Sequence, residues 1–346
     1  MSAPSRLDLA RAALTLAIGA AGAGLFLLVG LPSPFLSGGM VAVAIAALAG
    51  LPLAMPPAAV RVLFVVLGVA IGAGVTPETL RGILAWPGSM AILAVTVVVT
   101  VSASTLFLRR IVGLDRSTAV LASMPGALSA VLVTAAETRA DVPRVAVIQN
   151  FRLFVLIAVV PSAAGAGAPP ALREAGPVEM AGLLVAGAVV GWLVERTRLP
   201  AGLLIGAMLP SAVLHGSGLL EAQMPAPLAA AAFLGLGAYV GLRFVGVAPA
   251  LLWRTAPAAL GSFVITMGLA LAGALSTWAL VGVPLGAALV AFAPGALEGM
   301  TALAFSLHLD PAYVGAHHLA RFLGITLCLP IVVTWLTDRP HTPGAA

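Results

Sequence analysis

The stretch MPGALSAVLVTAAETRADVPRVAVIQNFRLFVLIAVVP, residues 124–161, recurs 169 positions later as APGALEGMTALAFSLHLDPAYVGAHHLARFLGITLCLP, residues 293–330. The alignment needs no gap. It pairs Pro125-Gly126 with Pro294-Gly295, Asp141 with Asp310, Val145 with Val314, Arg152 with Arg321 and Pro161 with Pro330. Matches of Ala and Leu are cheap in so apolar a chain, whereas the Pro-Gly, Asp and Arg matches are not. Working outward, Leu31-Pro32 with Gly38 and Met40 matches Leu199-Pro200 with Gly206 and Met208 at an offset of 168, and Gly68 and Gly72 match Gly237 and Gly241 at 169. The duplication therefore predicts a first repeat over residues 1–161 and a second over 180–346. Residues 162–179, rich in Ala, Gly and Pro, read as the linker.

Composition says what the repeats are made of. Hydrophobic residues fill 61% of the 346 positions and charged ones only 8%, against roughly 25% in an ordinary soluble protein. The mean hydropathy is +1.13. Residues 9–30, 88–108, 256–281 and 313–336 each reach the roughly 20 apolar positions that carry a helix across a bilayer. Short alternating segments of the kind that build a membrane β-barrel are absent. The expectation is an all-α integral membrane protein, with the first apolar stretch a retained helix rather than a cleaved signal. Cys328 is the only cysteine, which excludes an internal disulfide and cysteine-based metal sites. The net charge of +5 comes from arginines scattered through short loops and forms no basic face, so nucleic acid is not an expected partner. The expected partners are the lipid bilayer and a small-molecule solute, with a homo-oligomer left open.

Arginine placement decides between topologies. If both Pro-Gly segments crossed the membrane there would be twelve spans, with 8 arginines in inside loops and 7 outside. If both are broken or re-entrant helix hairpins, each half has five spans, the second half is inverted, and 13 arginines fall inside, Arg243 among them, against 2 outside. The positive-inside rule favours two inverted five-helix repeats with both termini in the cytoplasm, in a bacterial inner membrane. Inverted repeats with helix breaks near the midplane are a recurring plan of secondary transporters.

The candidate residues sit at and after the breaks. Pro125, Gly126, Pro294 and Gly295 interrupt helices at membrane depth, where freed backbone groups need partners and a solute can supply them. Ser129 and Glu298 follow at matched positions. A membrane carboxylate is costly enough that Glu298 reads as an ion- or proton-coupling group, the alternative being a place at the aqueous rim. Arg152 and Arg321 lie well inside their helices. The alternatives for them are an anion site, snorkelling, or hydrogen bonds to the broken hairpin's carbonyls. Gln149 and His318 precede each Arg by three residues, and Asp141 and Asp310 start the same helices, so each half offers Asp, then Gln or His, then Arg. Substrate contact is expected of Arg152, Arg321, Ser129, Gln149, His318 and the Pro-Gly pairs, and coupling of Glu298, Asp141 and Asp310. His308, His317 and His318 invite a metal reading, but adjacent helical residues point about 100° apart and no metal or other cofactor is assigned. Gly68, Gly72, Gly237 and Gly241 read as close helix contacts. No phosphate-binding loop or hydrolase signature occurs, so an enzyme is not expected.

With the duplicated Leu-Pro-x-x-x-Leu-x-Gly-x-Met and Pro-Gly-Ala-Leu segments in hand, the chain resembles the bacterial AbrB-type membrane family, also labelled ammonia monooxygenase-like, whose members carry an internal duplication. Residues Leu31 to Met40 fit its first pattern, and Pro294-Gly295-Ala296-Leu297 fits the second with Ala296 in place of a glycine and Glu298 kept. Ser129 stands where that family often has an acid. The resemblance implies regulation of gene expression or copper-dependent ammonia oxidation, but this chain has no DNA-binding module and its histidines give the second little support. The residues themselves point first to a permease for a small, anionic solute. A membrane-embedded regulator or accessory subunit comes second. With Cys328 replaced, cysteines at positions 116 and 139 are expected to react with an impermeant thiol reagent from the same side of the membrane; reaction from opposite sides would mean that the first hairpin crosses.

Overall fold

The computed structural model describes residues 6–77, 81, 86–126, 128–164, 173–197 and 201–337. The described chain is almost wholly helical. In the first half come α1 (Arg6–Val29), a wide π-helical turn (Pro34–Gly38) leading into α2 (Gly39–Leu48), α3 (Pro57–Gly72), α4 (Trp86–Arg110), α5 (Arg116–Ser123), α6 (Leu128–Glu137) and α7 (Val142–Ala164). The second half has α8 (Pro177–Glu195), α9 (Gly202–Gly216), α10 (Ala226–Gly241) with a 3-10 turn (Leu242–Phe244), α11 (Pro249–Val281), α12 (Leu285–Phe292), α13 (Leu297–Ser306) and α14 (Pro311–Thr337). Two-residue strands, β1 (Arg173–Glu174) and β2 (Ala222–Gln223), pair in parallel.

Among the described residues six helices are long and apolar enough to cross a membrane: α1, α4, α7, α8, α10 with its 3-10 turn, and α11. The segments Pro34–Leu48, Pro57–Gly72 and Gly202–Gly216 are shorter and equally apolar. Outward faces carry bare aliphatic side chains, among them Leu28, Val95, Val98, Val185, Val264 and Leu280. In water such a surface would be costly, and against lipid it is the expected one. Several apolar helices with bare aliphatic outer faces are thus compatible with a multi-pass membrane protein.

With no water to drive helices together inside a bilayer, association relies on close backbone approach and interhelical hydrogen bonds. Both devices are used here. Gly68 and Gly72 on α3 lie against the backbone of Leu204 and Met208 on α9, and Gly237 and Gly241 on α10 lie against Leu36 and Met40. The Leu and Met of the duplicated motif are therefore packing residues, and the glycine pairs are close helix contacts. Gly22 on α1 meets Gly38, as Gly191 on α8 meets Gly206. The Leu199-Pro200 part of the second motif lies outside the described residues.

Hydroxyls do the rest. Pro161 sits inside α7 and has no N–H, so the carbonyl of Ile157 one turn earlier loses its helical donor. The Ser37 hydroxyl, from the π-helical turn, donates to that carbonyl at 2.8 Å. Ser211 on α9 donates to Val69 O on α3 at 2.9 Å, and Ser104, Ser123 and Ser262 link α4, α5 and α11 through contacts of 2.8 and 3.0 Å. Because Ser37 satisfies that carbonyl, α7 continues past Pro161 to Ala164. Within the linker expected over 162–179, α7 runs to Ala164, β1 takes up Arg173–Glu174 and α8 begins at Pro177, while residues 165–172 lie outside the described residues.

Gly237→Leu is expected to destabilise the folded protein by roughly 1 to 3 kcal/mol through overpacking, and Ser37→Ala by about 1 kcal/mol through a lost hydrogen bond. Gly24→Ala, with nothing within 4 Å of the added carbon, should leave thermal unfolding in detergent unchanged.

Candidate functional site

Each Pro-Gly break separates two short helices, α5 from α6 and α12 from α13. A break leaves the last carbonyls of the first helix and the first N–H groups of the second without partners. The carbonyls are answered from the helix that follows, at a constant spacing of 28 residues. Gln149 Nε2 donates to Leu121 O at 2.9 Å and Arg152 Nη2 to Met124 O at 3.2 Å. In the second half His318 Nε2 lies 3.0 Å from Val290 O and Arg321 Nη1 donates to Ala293 O at 2.9 Å. Arg321 Nη2 also donates to Gly295 O at 3.0 Å and to His318 Nδ1. That last contact makes Nδ1 of His318 the acceptor, so Nε2 carries the proton given to Val290 O.

The two breaks meet across the halves. A Cβ built on Gly126 would lie 3.3 Å from Arg321 Nε and 3.5 Å from Gly295 O, so the first tip rests directly on the second half's arginine and tip. Gly126 also has a φ of +86°, the left-handed region that glycine occupies without strain. Between the tips lies a cavity of about 70 Å³ lined by Gly126, Leu128, Gln149, Arg152, Leu153, Ala201, Arg243, Pro294, Gly295, Ala296, Leu297, Glu298 and Phe322.

Arg152 and Arg321 are 3% and 4% exposed, so neither snorkels to an interface. The hydrogen-bonding alternative describes part of each guanidinium. Another part is unused: among the described residues, Arg152 Nη1 and Arg321 Nε are buried without a hydrogen-bond partner, and neither arginine is in an ion pair. Two buried cations with no counter-charge are an expensive arrangement unless something else supplies it. The N-terminus of α13 adds to the same field, because Ala296 at its N-cap offers no side-chain cap and Ala296, Leu297 and Glu298 line the cavity. The cavity wall is therefore electropositive, with Glu298, half-buried, as its acidic member.

Of the residues singled out from sequence, Arg152, Gln149, Gly126, Pro294, Gly295 and Glu298 line the cavity. Arg321 and His318 hold the tip from one layer behind, and Pro125 is buried beside it. Ser129 falls in the first turn of α6, but its side chain lies outside the described residues. Asp141 and Asp310 are placed elsewhere, at the starts of α7 and α14. Asp141 accepts from Arg144 N at 3.1 Å and pairs with the Arg144 guanidinium at 3.2 Å, and Asp310 accepts from Ala312 N and Tyr313 N at 3.0 Å each. The histidines diverge as well. His317 Nδ1 lies 2.8 Å from Tyr313 O and its Nε2 2.7 Å from Ser89 Oγ, while His308 ends its own turn at a φ of +54°.

The family model described as "Transition state regulatory protein AbrB" matches residues 35–337. The chain belongs to the AbrB family. It is also 28% identical to the "Putative regulator AbrB" of Escherichia coli (strain K12) over 322 residues, covering 90% of this chain and 92% of that protein. The AbrB match begins within the π-helical turn and ends with α14, so it takes in both helix breaks and every cavity-lining residue.

Arg243 is the charged cavity residue that sequence reading missed in this AbrB chain, having been counted with the arginines that set orientation. The available signal was its departure from the duplication, since the residue 169 positions earlier is Gly74. Gly126→Ala is expected to cost about 1 to 2 kcal/mol in backbone strain and to displace Arg321. Gly295→Ala meets the flexible Met300 side chain and should cost less in the same thermal-unfolding measurement.

Proposed function

We propose that this AbrB-family chain is a secondary transporter or permease for a small anion, a carboxylate above all, bound between the two helix breaks. The observation that carries the reading is Arg152, buried, unpaired and with one nitrogen unpartnered at the wall of a cavity that both breaks line. An anion would supply the missing counter-charge and the missing acceptor at once. A volume of about 70 Å³ exceeds the roughly 10 to 15 Å³ that a single water needs, which suits a solute of few heavy atoms. Arg321 and His318 hold the tip in shape and add positive potential, Gln149 does the same for the other tip, and Glu298 carries the coupling proton. Asp141 and Asp310 accept backbone N–H groups at helix starts, outside the lining of this cavity.

The transport reading includes an architecture of two inverted repeats, residues 1–161 and 180–346, each with five spans and a re-entrant hairpin. Several contacts support it. The helices beside the breaks share one displacement, α5 and α12 by 169 residues and α6 and α13 by 169. Asp141 N donates to Thr118 Oγ1 at 2.8 Å, which brings the start of α5 beside the start of α7, as a hairpin that enters and leaves on one side requires. Arg61 and Glu195 form an ion pair at 2.6 Å between ends that this topology puts in the cytoplasm, and β1 pairs with β2 between loops it puts outside. The inner-membrane location with both termini cytoplasmic rests on the arginine distribution.

A second reading, a membrane-embedded regulator or accessory subunit, is favoured by the names carried by the family and by the E. coli relative. Uptake of small carboxylates into proteoliposomes separates the two. Wild type should accumulate at least one of them. Arg152→Gln and Arg321→Gln should reduce uptake roughly thirtyfold, the equivalent of about 2 kcal/mol for a charged hydrogen bond, and Glu298→Gln should make uptake independent of pH. Normal transport in all three variants would remove the site assignment. No uptake of any small carboxylate, with a protein partner copurifying, would favour the second reading.

A further inference from the structure

The cavity contains one positive charge that the duplication does not repeat. Arg243, in the 3-10 turn after α10, is half-buried at the cavity wall and forms no ion pair with any described residue. At the corresponding corner of the first half stands Gly74, and there the space is filled: a Cβ on Gly74 would lie 2.6 Å from Pro311 Cγ and 3.1 Å from the ring of Phe305. A second corresponding pair behaves alike. Ala201 lines the cavity, whereas Ser33, 168 positions earlier, has its hydroxyl 3.1 Å from that of Ser306 at the end of α13. Both take the same left-handed backbone, with φ of 51° and 50°, so the corners share a geometry and differ in what covers them.

We infer that Arg243 is the anion-capturing residue at the entrance to the cavity, and that the matching corner at Gly74 and Ser33 is shut by the end of α13 and the start of α14. This rests on the anion-site reading above. The two arginines of the breaks are buried and hold carbonyls, so they act at short range. Among the described residues Arg243 holds no carbonyl or acid, and it is only half-buried, which suits it to attract an incoming anion before Arg152 takes over. It also offsets Glu298, whose charge on the same wall would otherwise repel a carboxylate. The solute class that follows is a small monocarboxylate entering with its charged end towards Arg243.

Binding of labelled acetate to the purified full-length protein tests the inference. Arg243→Gln should slow association by about tenfold at low salt and abolish its salt dependence, and Arg243→Lys should retain most of the rate because capture needs charge more than fork geometry. A cysteine at position 243, in a Cys328→Ser background, should react with an impermeant anionic methanethiosulfonate and be protected by acetate, while one at position 33 should not react. If Arg152→Gln loses acetate binding but Arg243→Gln associates like wild type, or if position 33 reacts as fast as 243, the capture role is overturned and the anion site stands. If wild type binds no acetate, the capture of a small monocarboxylate at Arg243 is overturned, and the anion-site reading falls only if no other small carboxylate is taken up.

Discussion

Everything at the centre of this protein follows from two interrupted helices that must satisfy their backbone without water. A Pro-Gly break at depth frees carbonyls on one side and N–H groups on the other. The carbonyls are taken by a side chain 28 residues later in each half, Gln149 and Arg152 in one and His318 and Arg321 in the other. Once the carbonyls are spoken for, the surplus is positive: spare guanidinium N–H groups and an uncapped helix start. An electropositive cavity is thus a by-product of how the breaks are stabilised, and function has only to make use of it.

The pairing inside each half is local, but the tips are positioned by the opposite half. Arg321 touches Gly126, and Gly295 O sits beside the same residue. A change in the second half's arginine is therefore felt at the first half's break. Such coupling would let the two helix breaks act as one element, which a site built on a single break could not achieve.

Much of this was legible in the chain. The gapless match of residues 124–161 to 293–330 located both breaks, and the invariance of Arg and Asp within it separated the arginine that reaches the cavity from the aspartate that caps a helix only once hydrogen-bond partners were known. Sequence spacing puts Asp141 and Arg152 on one helical face but says nothing about how far along that face the cavity extends. Arg243 was hidden for a different reason. A duplication draws attention to what is repeated, and this residue matters because its counterpart is a glycine. The extension of α7 beyond Pro161 was equally out of reach, since it depends on a hydroxyl from Ser37, 120 residues away.

The glycine contacts have a consequence for how the protein is made. Gly68 and Gly72 of the first half seat the backbone of α9, and Gly237 and Gly241 of the second half seat the segment from Leu36 to Met40. Neither α2 nor α3 finds these partners until more than a hundred further residues have been synthesised. The contacts between the halves are interleaved rather than confined to one docking face, each half seating backbone of the other. A chain truncated between α7 and α8 would therefore lack the surfaces against which Gly68, Gly72 and the segment from Leu36 to Met40 pack.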